Sequence, residues 1–213
     1  MKSIFLFCGT LSLPFILLLS ACGDHSPDSV KEAKEATAEK TDSVRRVEQP
    51  VDTSRLPVVK EDADFLIAAA EGGMLEVELG RLAQTNAGSQ GVKDFGNLMI
   101  RDHSKGGGEI RSLVPSKRVT LPATLSNDHQ KKAERLRKKK GTDFDKSYID
   151  FMVSDHKEDI HAFEKAAKNA KDPDIKAFAN SHLPMLHQHL DSAQKLQQRN
   201  RLNFPPISPT NGY

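Results

Sequence analysis

Four stretches of the chain place apolar or small residues three and four apart, the spacing of one helix face. The first runs from about Asp62 to Asn86, with Phe65, Ala69, Gly72, Glu76, Leu79 and Ala83 on its face. The second follows Gly88 as a stop and Ser89 as an N-cap and continues to about Val114, with Val92, Phe95, Met99, His103 and Ile110 near one side. "KGGGE" at 105–109 weakens its middle, since each glycine costs about 1 kcal/mol against alanine. The third starts at Thr142 as a cap, with Asp145 in the first turn, and carries Ile149, Met152, His156, Ile160, Phe163 and Ala167. The fourth starts at Asp172-Pro173, a cap followed by proline at the first helical position, and carries Ile175, Ala179, His182, Leu186, His189 and Ala193. Pro184 lies inside it, removes a backbone hydrogen bond and predicts a kink.

The connections decide how these helices pair. The first two and the last two are joined by short links, so each pair reads as an antiparallel hairpin. The hairpins are separated by a long link holding "SNDHQKKAERLRKKKG", a short charged helix stopped by Gly141. The predicted fold is all-α: a ferritin-like four-helix bundle of two antiparallel hairpins with a long crossover that carries a short extra helix. The bundle is expected over residues 61–199. Residues 22–60 are rich in charge, Ser and Pro and read as a disordered tether, with "VKEAKEATAEK" helical part of the time. The proline-rich end, residues 200–213, reads as a disordered tail.

The first residues change the picture from a free domain to an exported one. Lys2 precedes the apolar run "IFLFCGTLSLPFILLLSAC", the pattern of a secretory signal over residues 1–21. Its end, Leu19-Ser20-Ala21-Cys22, resembles a bacterial lipobox, which implies cleavage before Cys22 and lipidation of that residue. The expected location is the bacterial cell envelope, with the lipid as membrane anchor. Gly23 after the cysteine, by resemblance to enterobacterial sorting, favours the outer membrane facing the periplasm. The chain has two cysteines, Cys8 in the signal and Cys22, so the mature domain has no thiol for a disulfide, a zinc–thiolate site or nucleophilic catalysis. A net charge of +2 gives no field for nucleic acid. There is no Gly-x-Ser-x-Gly and no phosphate-binding glycine loop, so no catalytic residue is assigned.

The candidate chemistry sits on a repeated motif, "MIRDH" at 99–103 and "MVSDH" at 152–156. In each copy the Met and His are four apart and share a face, with the Asp toward its edge. His103 and His156 therefore look into the bundle, as do Glu76, His182 and His189, and one acid and four histidines can converge as a metal site. Imidazole and carboxylate suit iron, copper or zinc, and Met99 and Met152 add soft ligands of the kind cuprous copper takes. The plainer alternative keeps each histidine as a hydrogen-bonded core residue, the methionines as core filler, and Asp102 and Asp155 as structural groups bridging to basic residues. On that view the repeat reflects two equivalent helices of a pseudo-symmetric bundle. His161 and His187 fall off the main faces. The basic run "KKAERLRKKK" reads as a solvated helix, with an anionic surface as the alternative partner.

"FLIAAAEGGMLEVELGRLA", "VKDFGNLMIRDHSK", "LPATL", "FDKSYIDFMVSDH", "FEKAA" and "LPMLHQHL" together resemble the ferritin-like domain-of-unknown-function 4142 family of bacterial envelope proteins, over about residues 61–197. The matching positions are Glu76, His103, His156, Pro184 and His189. The resemblance implies a helical bundle and an export signal, not an activity. Ferritin-type di-iron sites use Glu-x-x-His pairs, whereas here Ile100 precedes His103 and Leu186 precedes His189 by three, so that site is not expected. The sequence thus supports an envelope lipoprotein whose bundle is a non-catalytic binding or interaction module with an unknown envelope partner. Its alternative is a metal-binding protein using Glu76, His103, His156, His182 and His189 for storage, sensing or redox chemistry.

Overall fold

The computed structural model describes residues 28–45 and 58–203; the expected signal segment, Cys22 and the expected tail beyond residue 203 lie outside them. Among the described residues are six helices, α1 (Ser29–Arg45), α2 (Lys60–Asn86), α3 (Gln90–Lys117), α4 (Asn127–Arg137), α5 (Gly141–Asn169) and α6 (Pro173–Asn203), and no strand. Helices α2 with α3 and α5 with α6 form the two hairpins. The hairpins meet through α2 against α5 and α3 against α6. None of the described helices is long and apolar enough to cross a membrane.

Two acids fix how the hairpins lie. Asp62 in the first turn of α2 accepts the backbone N–H groups of Lys171 and Asp172 in the α5–α6 turn, at 2.9 and 2.8 Å. Asp145, just past the first turn of α5, accepts those of Gly88 and Ser89 in the α2–α3 turn, also at 2.9 and 2.8 Å. Each hairpin therefore supplies the carboxylate that satisfies the other's turn. Both acids are buried, where an unpaired amide or carboxylate would be costly. The pairing places the start of α2 beside the end of α5, so α2 and α5 run antiparallel, with α3 and α6 likewise.

The helix starts follow local chemistry with two departures. Ser89 Oγ accepts from Val92 N at 3.3 Å, and Asp172 Oδ1 accepts from the N–H groups of Asp174 and Ile175. Thr142 does not cap α5. The helix already begins at Gly141, whose φ of +57° turns the chain sharply out of α4, and Asp145 serves the neighbouring turn instead. The glycines at 106–108 stay helical inside α3, and a Cβ on Gly106 would stand 3.3 Å from His182 Nε2. Helix α6 passes through Pro184 and runs to Asn203, four residues beyond the expected end of the bundle.

The expected tether differs most. Its described part is the helix α1, docked on α2 and the crossover. Ala33 is buried, Thr37 Oγ1 accepts from Thr120 N at 2.9 Å, and Ser29 Oγ accepts from the N–H groups of Ala123 and Thr124. Small residues at 33 and 37 let the helix approach closely without a large apolar face, which is why composition alone reads it as unfolded. With α1 and α4 on its outer side, α2 buries Leu66, Ile67 and Leu75 as well as Leu79 and Ala83. Glu71 pins the start of α4 by accepting from Ser126 N and Oγ, and Asn86 pins its end by donating to the carbonyls of Arg137 and Lys139.

Two apolar clusters fill the bundle. One contains Ile67, Ile110, Phe163, Ile175, Phe178 and Leu186, the other Leu79, Phe95, Met99, Phe144, Tyr148 and Met152. Along α3, α5 and α6 the polar residues His103, His156 and His189 fall between members of the first cluster and members of the second.

Candidate metal centre

Four helices contribute to this polar layer: Glu76 from α2, His103 from α3, His156 from α5 and His189 from α6. His156 and His189 are wholly buried, Glu76 is 1% exposed and His103 9%. One nitrogen from each of the three rings lies within 4.8 Å of the other two. His156 Nε2 stands 3.3 Å from His189 Nδ1 and 3.4 Å from Glu76 Oε1. His103 Nδ1 is 2.7 Å from Glu76 Oε2.

The outer nitrogens of two rings are committed to oxygen. His156 Nδ1–H donates to the carbonyl of Met152, 3.1 Å away, one turn back on its own helix. His189 Nε2–H donates to Asp102 Oδ2 at 3.0 Å, and Asp102 is itself held by the Arg101 guanidinium. These acceptors fix the tautomers, and the facing nitrogens, His156 Nε2 and His189 Nδ1, are both left with lone pairs. Two bare acceptors 3.3 Å apart repel unless a proton or a cation lies between them. Burial holds His156 down to about 3 and, against the pull of Asp102, His189 down to about 4, so both rings are neutral at neutral pH. Burial also lowers His103, whose Nε2 has no partner in the protein.

The acids respond in the opposite sense. Burial raises Glu76 well above the usual carboxylate range, and its Oε1 makes no hydrogen bond within the protein. Asp155 and Asp159 are pushed up to about 8 by burial and by the neighbouring Glu76. Glu76, Asp155 and His156 form a second group with ligand atoms within 4.8 Å of one another. A cavity of about 30 Å³, room for a water molecule or two, borders Glu76, His103, Asp159, Gly106 and His182.

The matched sequence positions now have a structural context. Residues 47–196 match the family described as a domain of unknown function, DUF4142. The chain belongs to the DUF4142 family. No curated protein matches this DUF4142 chain. Its fold is similar to the crystal structure of a DUF305 fragment from Deinococcus radiodurans, with a TM-score of 0.60 and 9% identity, covering 67% of this chain and 99% of that one. At that identity the likeness concerns the helical fold alone.

Of the residues singled out in the DUF4142 sequence, Glu76, His103, His156 and His189 come together. His182 stands apart: its ring packs on Phe178, with centroids 4.1 Å apart, its Nδ1 bonds the Phe178 carbonyl, and its Nε2 lies 3.4 Å from the half-exposed Glu109. It faces the small cavity rather than the three rings. Asp102 does bridge to a basic residue, but its second partner is His189, which makes it part of the centre's support. Asp155 is likewise not an edge group bridging to a base; it lies against Glu76 and His156. Met99 and Met152 are fully buried in the apolar cluster. Asp159 escaped sequence reasoning; its signal was its position one turn after Asp155 on the same helix.

The repeated motif needs a different explanation from symmetry. The clasps and caps relate the hairpins by 83 residues: Asp62 to Asp145, Gly88 to Lys171, Ser89 to Asp172. In that register His103 corresponds to Leu186, and His156 to Gly73. The two motif copies lie on α3 and α5, which this 83-residue register does not relate to each other.

Proposed function

We propose that this protein is a lipid-anchored envelope protein whose bundle binds a transition-metal ion on His103, His156 and His189, with Glu76 as an oxygen ligand. The observation that carries the metal reading is the pair of lone-pair nitrogens, His156 Nε2 and His189 Nδ1, fixed face to face at 3.3 Å. A hydrogen-bonded structural role would put a donor against an acceptor there. Neutral imidazole with carboxylate suits iron, copper or zinc, and the support from Asp102 and the Met152 carbonyl is of the kind that orients metal-bound histidines. The anchor rests on the leader and the lipobox-like Leu19-Ser20-Ala21-Cys22.

Elemental analysis of protein purified without chelator, followed by cobalt(II) titration, tests the metal. The expected result is one ion per chain and ligand-field absorption, both lost in the His103→Gln/His156→Asn variant. Retention of metal by that variant, or no ion and no cobalt spectrum in the native protein, would sink the assignment. A purely structural role predicts instead that the variant destabilises the metal-free bundle and changes no metal content. For the anchor, Cys22→Ser should abolish lipidation and release the protein from the membrane fraction; unchanged partition would refute it.

A further inference from the structure

We propose that the basic face of α4 seats the bundle side-on against an anionic phospholipid surface, with α1 acting as a clamp that holds it there. The inference rests on the Cys22 anchor of the preceding section, and it assigns a partner to a segment the metal site does not use.

A flexible tether from Cys22 to the start of the bundle at Val58 would extend to roughly 125 Å, and the bundle could then present any face to the membrane. Docked α1 removes that freedom. Its head is fixed by Ser29 on the backbone of 123–124, and its body by Ala33, by Thr37 on Thr120 and by Lys40 on Thr120 Oγ1 at 2.7 Å. Only the stretch from Cys22 to Asp28 remains between the anchor and a fixed point, about 20 Å fully extended.

Asp28 and Val30 border the same surface depression as His129, Lys131, Lys132 and Arg135 of α4, with Glu71 and Asp128 also on its lining and Lys131 3.6 Å from Asp128. Residues 127–140 carry seven Lys or Arg against two acids, whereas α1 carries four of each sign. The inward side of α4 is spent on packing through Ala133 and Leu136, and Arg137 is spent on Glu78 and Glu134. Lys131, Arg135 and Lys138 are exposed, and Arg135 and Lys138 form no ion pair among the described residues. Helix α4 packs on α2 and α5, away from α3 and α6, so its cations share one side of the molecule with the head of α1. A short leash ending beside a basic helix is complementary to an anionic leaflet, and such attraction fades within a Debye length and with salt.

The test uses the full lipidated protein in vesicles of 3:1 phosphatidylethanolamine and phosphatidylglycerol. A fluorophore is placed at Asn127→Cys on α4 or at Ser112→Cys on α3, both exposed positions, with a headgroup-attached quencher in the bilayer. Quenching of the α4 label at least threefold above the α3 label is expected. The contrast should vanish in the Lys131→Glu/Lys138→Glu variant and in phosphatidylcholine vesicles. Equal quenching of the two labels, or a contrast indifferent to charge, would overturn the proposal. Mass analysis of the N-terminal residue reads the anchor separately: a lipidated protein with equal quenching refutes the seating alone, and an unlipidated one refutes both.

Discussion

The two hairpins are alike at their ends and unlike in their middles. In the 83-residue register, Asn86 and Asn169 end the first helices, Ala87 and Ala170 each donate back to the carbonyl four residues earlier, and Ser89 and Asp172 cap the next helices. The central positions diverge. Gly80 and Gly96 in the first hairpin correspond to Phe163 and Ala179 in the second, and Gly106 corresponds to His189. A Cβ on Gly80 would stand 2.6 Å from the Gly96 carbonyl oxygen, so α2 and α3 cross at a separation that only glycine allows. The ends answer a problem common to both hairpins, closing a turn without stranding backbone N–H groups. The middles answer different ones: the first hairpin brings its helices close, and the second carries two of the three clustered imidazoles and packs Phe163 and Phe178 around His182.

Four experiments would break or sharpen this contrast. The largest effect is expected at the glycine crossing. Gly80→Ala or Gly96→Ala should cost about 2–4 kcal/mol, as overpacking against backbone cannot be relieved by a rotamer change. The equivalent change in the second hairpin, Ala179→Gly, should cost only about 1–2 kcal/mol for propensity and a lost methyl. Equal losses in urea unfolding would deny that the hairpins pack differently.

The clasps come next. Asp62→Ala and Asp145→Ala each leave two turn N–H groups without acceptors, and each should cost about 2–3 kcal/mol. Near-equal values would sharpen the likeness of the ends; a loss in one variant only would show that one turn closes unaided.

The polar layer gives a pH signature. His156 and His189 have folded values depressed to about 3 and about 4, so their contribution is present above their unfolded value near 6.5 and is lost as pH falls below it. Asp155 and Asp159 have folded values raised to about 8, so theirs is present below the unfolded value near 4 and is lost as pH rises toward 8. The two trends offset between about 4 and 6.5, and above that only the acids act. The metal-free protein should therefore lose thermal stability from pH 6.5 to 8, and Asp155→Asn/Asp159→Asn should flatten that fall. A wild-type melting temperature that stays level across that interval would contradict the placement of these acids.

The smallest change is expected outside both hairpins. Ala33→Asp puts a charge into the α1 interface, where release of α1 is cheaper than burial of the charge. Hydrogen exchange should show α1 unprotected while the bundle loses less than about 2 kcal/mol. Global unfolding would make α1 part of the core.

Much of the bundle was legible from the spacing of Val92, Phe95 and Met99 or of Ile149, Met152 and His156, because burial on one face imposes period. The meeting of Glu76 with His103, His156 and His189 was legible for the same reason. What the sequence concealed depended on partners distant along the chain. Nothing local distinguishes Asp145, which clasps Gly88 and Ser89, from an ordinary acid near a helix start. His182 has the same helical phase as His189, yet Phe178 and Glu109 decide its surroundings. Helix α1 lacks a strong apolar stripe and becomes legible only once the surface it covers is known.

The reciprocal clasps are equal in space but not in time. Asp62 leaves the ribosome long before the turn at 171–172 and is waiting when that turn emerges. The turn at 88–89 must wait for Asp145, 57 residues behind Gly88, a delay of roughly 3–11 s at ordinary rates of synthesis. For that interval the first hairpin is a nascent structure with an unfinished corner. The chain completes it only by committing to the second.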